Sequence, residues 1–258
     1  MTTQLANSEK VIAIIPTKNH AKWLGDCLDG LVNQTVLPSI IVIVDDGSTD
    51  NTWELINQLT SDNKKVAVNP DHEPKDLQLG TLKGIPTLSV RFNNSYGPSI
   101  ARNYALRTIE QGNENSIIAF CDSDDVYLPT KIEESLEYFQ TNPHCGMVYS
   151  DYYTFNEKGQ YIQFKESYSK ARLAQECLGN MDSLFRFKAL KDNNFFDETL
   201  RVCEDYDMYL GLSNKYILCH IPKPLVKIRI GNHSSTSTVP KEIWQQCYSK
   251  VMTKHFKQ

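Results

Sequence analysis

The strongest chemical signal in the chain is an acidic segment that directly follows an apolar run. After Ile-Ile-Ala-Phe at 117–120 come Cys121 and then Asp-Ser-Asp-Asp at 122–125. Carboxylates at alternate positions offer the oxygen ligands that Mg²⁺ and Mn²⁺ prefer, and such cations keep open positions for phosphates. Without a counter-cation, three neighbouring carboxylates would repel one another. The segment therefore predicts a divalent-cation site, although capping of a helix before Pro129 would also favour acidic residues here.

A second acidic cluster, Asp45-Asp46, follows another apolar run and turns at Gly47-Ser48. Carboxylates in such a turn can accept hydrogen bonds from a nucleobase N–H group or a ribose hydroxyl. The same residue types also occur in turns and helix caps that bind no ligand. Ligand contact and turn chemistry are therefore both open for this cluster.

A third acidic cluster, Glu204-Asp205-Tyr206-Asp207, leads into a helical pattern. One of its carboxylates could take a proton from an acceptor hydroxyl, provided that it lies beside that hydroxyl and has a suitable pKa. Acidic residues also favour helix N-termini because they offset the positive end of the helix dipole. That simpler explanation accounts for the cluster equally well.

Arg229 and His233 could touch a phosphate or a metal, or could be structural residues. Glycine-rich phosphate loops are absent, since neither GxxxxGK[ST] nor GxGxxG occurs. The hydrolase motifs GxSxG and HExxH are absent too. The seven cysteines contain no CxxC pair, which argues against a disulfide scaffold or a zinc site.

The elements that must position these residues alternate between strand and helix over the first 150 residues. Two short β-branched runs, at 11–15 and 40–44, are stopped by Pro16 and by Asp45. Such runs are typical of strands buried on both faces of a parallel sheet, and helical spacing between them completes a β-α-β unit. Two acidic clusters thus follow strand ends, the edge at which open α/β sheets bind ligands.

The other elements are predicted from the same patterns. We expect a strand at 88–92, another at 117–120, helices at 100–109, 129–140, 169–178, 206–212 and 241–258, and a hairpin of 147–155 with 160–164. Residues 66–87 hold three prolines and two glycines without clear periodicity, which predicts a long loop, either functional or a tolerated insertion.

Composition and charge exclude several classes of protein. The chain has 258 residues, 40% of them apolar, and a net charge of −4. These values indicate a soluble globular protein and argue against a nucleic-acid-binding surface. No apolar run approaches the roughly 18 to 20 residues that a membrane span needs, and the polar N-terminus is unlike a signal peptide. We therefore expect a cytoplasmic protein.

Taken together, the pattern resembles the family 2 glycosyltransferases, whose fold is called GT-A. Six motifs occur in the family's order, and they are Ile14-Ile15-Pro16-Thr17-Lys18-Asn19, VDDGSTD at 44–50, Ala101-Arg102-Asn103, Asp122-Ser123-Asp124-Asp125 followed by Pro129, Leu184-Phe185-Arg186 with Phe196-Asp197-Glu198, and Glu204-Asp205. The resemblance implies an α/β fold with a mostly parallel central sheet flanked by helices and a smaller mixed acceptor-side region. It further implies one domain over residues 1–235, with the donor and metal half at about 9–150, the acceptor half at 151–235, and a helical tail at 236–258.

The resemblance also implies roles for single residues. Those that would bind the nucleotide sugar are Pro16, Thr17, Asp46, Arg102, Asp122, Ser123 and Glu204. Pro16, Thr17 and Asp46 would hold the base and ribose, while Asp122 would touch the ribose or donor sugar. Arg102 would lie near the nucleotide or the metal motif.

The metal ligands implied by the resemblance are Asp124 and, with less support, His233, and the cation would be Mn²⁺ or Mg²⁺. Asp205 would be the base, with Glu204 contacting sugar hydroxyls. The implied reaction is inverting transfer of one sugar, with a UDP-sugar as the expected donor, to a hydroxyl of a carbohydrate, lipid-linked or other acceptor. Its setting would be polysaccharide or glycoconjugate assembly.

The chain departs from the family in three respects. Lys18 stands where an aromatic residue is common, residues 66–87 are longer than the usual connection, and the QxxRW motif is missing near Trp244. Processive members carry QxxRW and membrane helices, so transfer of a single sugar is expected. The alternatives are a nucleotidyltransferase acting on sugar phosphates and a catalytically silent, glycosyltransferase-like binding protein.

The tail carries lysines at 241, 250, 254 and 257 beside an apolar face. Such a helix could lie on the inner face of the membrane, where lipid-linked acceptors are found. It could equally pack on its own domain or on a homodimer partner.

Overall fold

The structure is a computed structural model that describes residues 9–68, 73–231 and 239–256. Within these residues, eleven strands form one sheet. The strands are β1 (Val11–Thr17), β2 (Ile40–Asp45), β3 (Ser61–Lys65), β4 (Asp76–Leu82), β5 (Ile85–Arg91), β6 (Ile117–Phe120), β7 (Val126–Tyr127), β8 (Cys145–Asn156), β9 (Gly159–Gln163), β10 (Leu184–Arg186) and β11 (Ile217–Arg229). The helices are α1 (Leu24–Val32), α2 (Thr52–Leu59), α3 (Pro98–Ile109), α4 (Lys131–Thr141), α5 (Lys170–Leu173), α6 (Phe187–Asp192), α7 (Glu204–Leu212) and α8 (Lys241–Phe256).

Four parallel strands form the centre of the sheet, in the order β5-β2-β1-β6. Ile14 of β1 pairs with Val42 on one side and with Phe120 on the other. Antiparallel strands extend this centre through β4 and β3 at one end and through β10 and β8 at the other. The predicted α/β fold with a parallel centre and a mixed region beyond it is therefore confirmed.

Helices cover both faces of the sheet because the central strands bury both faces. Ile12 and Ile14 of β1 belong to one apolar cluster, whereas Val11, Ala13 and Ile15 belong to the other. Alternate side chains of a strand point to opposite faces, so a continuous apolar run needs cover on each side. Side chains of α3, α7 and α8 join the first cluster, and those of α1, α2 and α4 join the second.

The prediction of a long loop at 66–87 is wrong for its second half. Residues 76–82 and 85–91 are β4 and β5, an antiparallel hairpin in which Leu82 pairs with Ile85. Lys83 and Gly84 both have positive φ, at 46° and 84°. Positive φ at both central residues is the geometry of a type I′ hairpin turn, so the Lys-Gly pair was the signal for a turn. The helix predicted at 169–178 is likewise reduced to the short α5.

The tail forms α8, as its spacing predicted, and α8 packs against α7. Cys247 and Val251 are buried in the apolar cluster beneath it. Lys254 and His255 contact the Asp207 carboxylate of α7 at 2.7 and 2.9 Å. Among the described residues, no helix combines the length and the apolar character that crossing a bilayer would require.

Candidate active site

A cleft of about 1440 Å³ opens at the ends of β1, β2 and β6 and is closed on the far side by α7 and α8. It is lined by every described residue to which the family resemblance gave a role, namely Pro16, Thr17, Asp46, Arg102, Asp122, Ser123, Asp124, Glu204 and Asp205. His233 lies outside the described residues. Residues spread over almost 190 positions of sequence thus meet in one cavity.

One wall of the cleft is formed by the ends of β1 and β2. The Asp46 carboxylate accepts hydrogen bonds from the backbone N–H groups of Tyr96 and Gly97 at 2.7 and 2.9 Å and from the Ser95 hydroxyl at 2.7 Å. Asp46 therefore holds the loop that leads into α3. Beside it, the buried hydroxyl of Thr17 has no hydrogen-bond partner within the described residues.

The centre of the cleft is bridged by Arg102, a buried side chain of α3. Its guanidinium donates to Asp122 at 2.6 Å and to Glu204 at 3.1 Å. It also lies over the Phe196 ring, 5.6 Å from the centroid. The two carboxylates raise the pKa of Arg102, although burial opposes them. One cation thus joins the acidic segment after β6 to the start of α7.

A compact group of carboxylates, Asp122, Asp125 and Asp182, lies behind this bridge. One oxygen from each lies within 4.8 Å of the others. Burial and the charge of Asp122 raise the pKa of Asp182 to about 7, and burial with the charge of Asp182 raises the pKa of Asp125. The ligands are all oxygen and carry excess negative charge, so their chemistry fits a hard divalent cation.

Asp182 is a member of this group that the sequence analysis missed. It accepts a hydrogen bond from the backbone N–H of Asp122 at 3.0 Å. Its sequence neighbours, Met181 and Ser183, are not acidic, so Asp182 is not part of an acidic motif that sequence analysis could recognise. Only the pairing of β10 with β6, which brings the chain after 180 beside the acidic segment, places it here.

Asp124, the predicted metal ligand, lines the cleft next to this group but is not one of its three members. Its carboxylate lies 3.9 Å from Nδ1 of His20, and that nitrogen is 2.7 Å from the Ser123 hydroxyl. Arg229 donates from Nε to the backbone carbonyl of Asp124 and from its backbone N–H to the Asp125 carboxylate. Arg229 therefore holds the acidic segment in position.

Asp205, the predicted base, lies in the first turn of α7. Its carboxylate accepts a hydrogen bond from the backbone N–H of Tyr206 at 2.7 Å. Burial raises the pKa of Asp205, and burial together with the charge of Asp205 raises that of Glu204 to about 7. Cys203, just before α7, has a φ of 63°, an unfavourable conformation for a side chain with a Cβ.

An α/β sheet with acidic groups at its strand ends, facing a helix that carries further carboxylates, defines a protein of the GT-A class. The sequence profile described as "Glycosyl transferase family 2" matches residues 12–203, about three quarters of the chain. The chain therefore belongs to glycosyltransferase family 2, and the resemblance seen in its motifs is confirmed.

Known relatives and structures agree with this family. An uncharacterised glycosyltransferase of Rickettsia bellii is 26% identical over 250 residues, covering 95% of this chain and 32% of the relative. S. aureus TarS 1-349 in complex with UDP-GlcNAc has a TM-score of 0.67 at 20% identity, covering 96% of this chain and 68% of that one. Mannosyltransferase PcManGT from Pyrobaculum calidifontis, in complex with GDP-Man and Mn2+, has a TM-score of 0.65 at 16% identity, covering 97% and 64%.

At these identities the two structures show a shared fold. The chain spans about a third of the length of the first curated relatives that it matches.

Proposed function

We propose that this glycosyltransferase moves one hexose, with inversion and with the help of a divalent cation, from a nucleotide-diphosphate sugar to an acceptor hydroxyl. The observation that carries the proposal is the Arg102 bridge, which places Asp122 and the Glu204-Asp205 pair in one cleft. A donor held at the acidic segment would then face a base on α7. A UDP-sugar is our proposed donor, and the TarS complex with UDP-GlcNAc supports it.

For donor binding we assign the base and ribose to the wall made by Pro16, Thr17 and Asp46. The Thr17 hydroxyl, which has no hydrogen-bond partner among the residues that the structure describes, offers a hydrogen bond to a ligand, since a buried polar group without a partner is costly. Asp46 keeps the wall rigid by holding the loop at 95–97. Asp122 and Glu204, fixed by Arg102, would meet the donor sugar, with Ser123 beside them.

A divalent cation, Mn²⁺ or Mg²⁺, would be held by Asp124 together with carboxylates of Asp122, Asp125 and Asp182. When bound, it would stabilise the negative charge of the departing diphosphate. The PcManGT structure contains Mn2+, which supports this choice. The residues of this chain prepare the site, because Arg229 fixes the backbone of the acidic segment. His233 remains a proposed additional ligand.

For the chemical step we assign Asp205 as the base. It would take the proton from the acceptor hydroxyl while that oxygen attacks the anomeric carbon from the face opposite the leaving diphosphate. The Tyr206 N–H binds one carboxylate oxygen, and the Cys177 thiol lies 3.9 Å from the other, which is the oxygen that we assign to the acceptor hydroxyl. Burial raises the pKa of Asp205 above its ordinary value, which makes the ionised carboxylate a stronger base.

The test is the Asp205→Asn variant, which keeps the shape of the side chain but cannot accept the proton. Sugar transfer should fall by about 10² to 10⁴, with UDP affinity retained. Transfer would be measured with radiolabelled UDP-sugars and affinity by calorimetry with Mn²⁺. Asp29→Asn is the matched control, because Asp29 is an exposed residue of α1 outside the cleft. Wild-type turnover in Asp205→Asn would refute the assignment.

The two alternatives are less well supported. A nucleotidyltransferase usually has a glycine-rich loop after its first strand, whereas β1 is followed by Lys18-Asn19-His20. A silent binding protein would have no need for intact carboxylates at both Asp124 and Asp205. Metal-dependent hydrolysis of a donor sugar would separate an enzyme from such a protein.

The setting of the reaction is also a proposal. We place it in polysaccharide or glycoconjugate assembly in the cytoplasm. For the tail we propose contact with a membrane surface or a homodimer partner through the parts of α8 that face away from α7; Lys250 and Lys254 pair with acidic residues of this chain.

A further inference from the structure

Three aromatic rings form a continuous stack on the α7–α8 side of the cleft. Trp244 and Tyr248, one turn apart on α8, have ring centroids 5.2 Å apart and planes tilted by 10°. Tyr248 in turn stacks on Tyr206 of α7, at 6.3 Å and 14°. All three residues line the cleft.

The stack is rigid at its inner end and open at its outer end. Tyr206 is buried, and its hydroxyl donates to the backbone carbonyl of Leu173 at 2.8 Å. Trp244 is 38% exposed. Neighbouring Cys247 and Val251 anchor α8 in the apolar cluster, so the ring positions are fixed by packing. An aromatic surface that is open yet held in place is suited to binding a ligand.

The location of the stack indicates which ligand it meets. Tyr206 and Asp205 both lie in the first turn of α7 and both line the cleft, so the inner end of the stack lies in the same cavity as the proposed base. The wall assigned to the nucleotide is built by β1 and β2, and the Arg102 bridge lies between the two. The stack therefore lies on the acceptor side.

The charges around the stack favour an uncharged ring face as its partner. Lys250 pairs with Asp197, and Lys254 pairs with Asp207 and Asp197. These lysines of α8 are therefore engaged within the protein. The Asn180 amide lines the same cleft and has no hydrogen-bond partner within the described residues. A cleft that offers both an apolar ring face and an amide matches a pyranose, with its C–H face and its rim of hydroxyls.

We propose that Trp244, backed by Tyr248, forms an acceptor subsite, on which a pyranose ring of a carbohydrate acceptor packs in the cleft that also contains Asp205. This inference rests on the proposed function, because it takes Asp205 as the base. It assigns α8 a part in choosing the acceptor.

The experiment measures binding of three oligosaccharides, chitotriose, mannotriose and a hyaluronan tetrasaccharide, to the full chain by saturation-transfer NMR and calorimetry. Wild-type protein should bind at least one of them. Trp244→Ala should weaken that binding by about tenfold, and Trp244→Phe should keep most of it. Tyr161→Ala is the control, since Tyr161 is an exposed aromatic residue of β9 outside the cleft. UDP affinity should be the same in every variant.

Three outcomes of the oligosaccharide and UDP binding measurements would overturn the proposal. These are a wild-type protein that binds none of the oligosaccharides, a Trp244→Ala variant that binds as tightly as wild type, and a variant that loses UDP binding in parallel. Loss of binding to anionic phospholipid vesicles without any change in sugar binding would assign the stack to a membrane and would also overturn it. Failure of wild-type protein to bind UDP would instead count against the proposed function, whatever the sugar result.

Discussion

At the level of single residues, the acidic groups of the cleft share few counter-charges. Arg102 contacts both Asp122 and Glu204, and both are close to further carboxylates. Lys131, fully buried behind the acidic segment, donates to the Ser150 hydroxyl, and burial lowers its pKa to about 8. Excess negative charge in a buried place favours protonated carboxyls. The unliganded protein should therefore bind protons that a cation or donor would displace.

The predicted uptake of protons can be tested at Glu204 by measuring how the free energy of unfolding depends on pH. Its pKa rises from 4.5 to about 7 in the folded protein, mainly because of burial. The folded state then holds a proton that the unfolded state has released, so this contribution to stability is present below about pH 4.5 and is lost as the pH rises through about 7. Glu204→Gln cannot titrate, so its free energy of unfolding should fall less between pH 4.5 and pH 8 than that of wild type, by up to about 3 kcal/mol.

The measurement is urea unfolding at several pH values with a chelator present. Glu133→Gln, a change on α4 outside the cleft, is the matched control and should keep the wild-type pH profile. A Glu204→Gln profile parallel to that of wild type would contradict the prediction.

At the level of elements, the turn between β2 and α2 fixes, through one glycine, the wall of the cleft formed by the ends of β1 and β2. Gly47 has a φ of 66°, and a Cβ built on it would lie 2.6 Å from the backbone carbonyl carbon of Asn94. The backbone of the turn is therefore in close contact with the start of the loop that Asp46 holds at 95–97. Only glycine satisfies both the conformation and the close approach.

Gly47→Ala should accordingly destabilise the protein by roughly 1 to 3 kcal/mol and weaken UDP binding. Gly25→Ala is the control, because Gly25 lies in α1 and a Cβ there meets no atom within 4 Å. That change should stabilise the protein by about 0.5 kcal/mol. Urea unfolding and calorimetry with UDP would measure both effects. Equal stability of the two variants would show that the turn tolerates a side chain.

At the level of the whole molecule, the cleft joins the parallel centre of the sheet to α7 and α8. A donor bound there would contact both parts and would bind the folded state alone. Such a ligand raises the free energy of unfolding by about 2.7 kcal/mol at a concentration 100 times its Kd. For a chain of this size that corresponds to a rise in Tm of roughly 5 to 10 °C.

We expect UDP with Mn²⁺ to produce this rise in a thermal-shift assay, and a chelator to abolish it. The Asp124→Ala variant should lose the part of the Tm rise that depends on Mn²⁺, whereas the Asp29→Asn variant should keep it. A shift by UDP that is the same with Mn²⁺ and with chelator would argue against a metal-dependent donor site.

Much of this protein was predictable from local sequence. The runs at 11–15, 40–44 and 117–120 predicted buried parallel strands, because side chains that are apolar at every position need cover on both faces. The acidic segments after two of those runs predicted a cleft at the strand ends. The β4–β5 hairpin escaped prediction because its turn residues, Lys83 and Gly84, are a less familiar pair than Asn-Gly.

What the sequence determined by itself was therefore the fold class, the family and the residues that line one wall and the centre of the cleft. Only the tertiary structure decided that Arg102 bridges Asp122 to Glu204, that Asp182 joins the acidic group, and that rings of α7 and α8 stack beside Asp205. The physical reason is the separation along the chain between the residues that interact. Strand and turn patterns are set by neighbours a few positions apart, whereas these contacts join segments from about 20 to more than 100 positions apart and depend on the order of strands in the sheet.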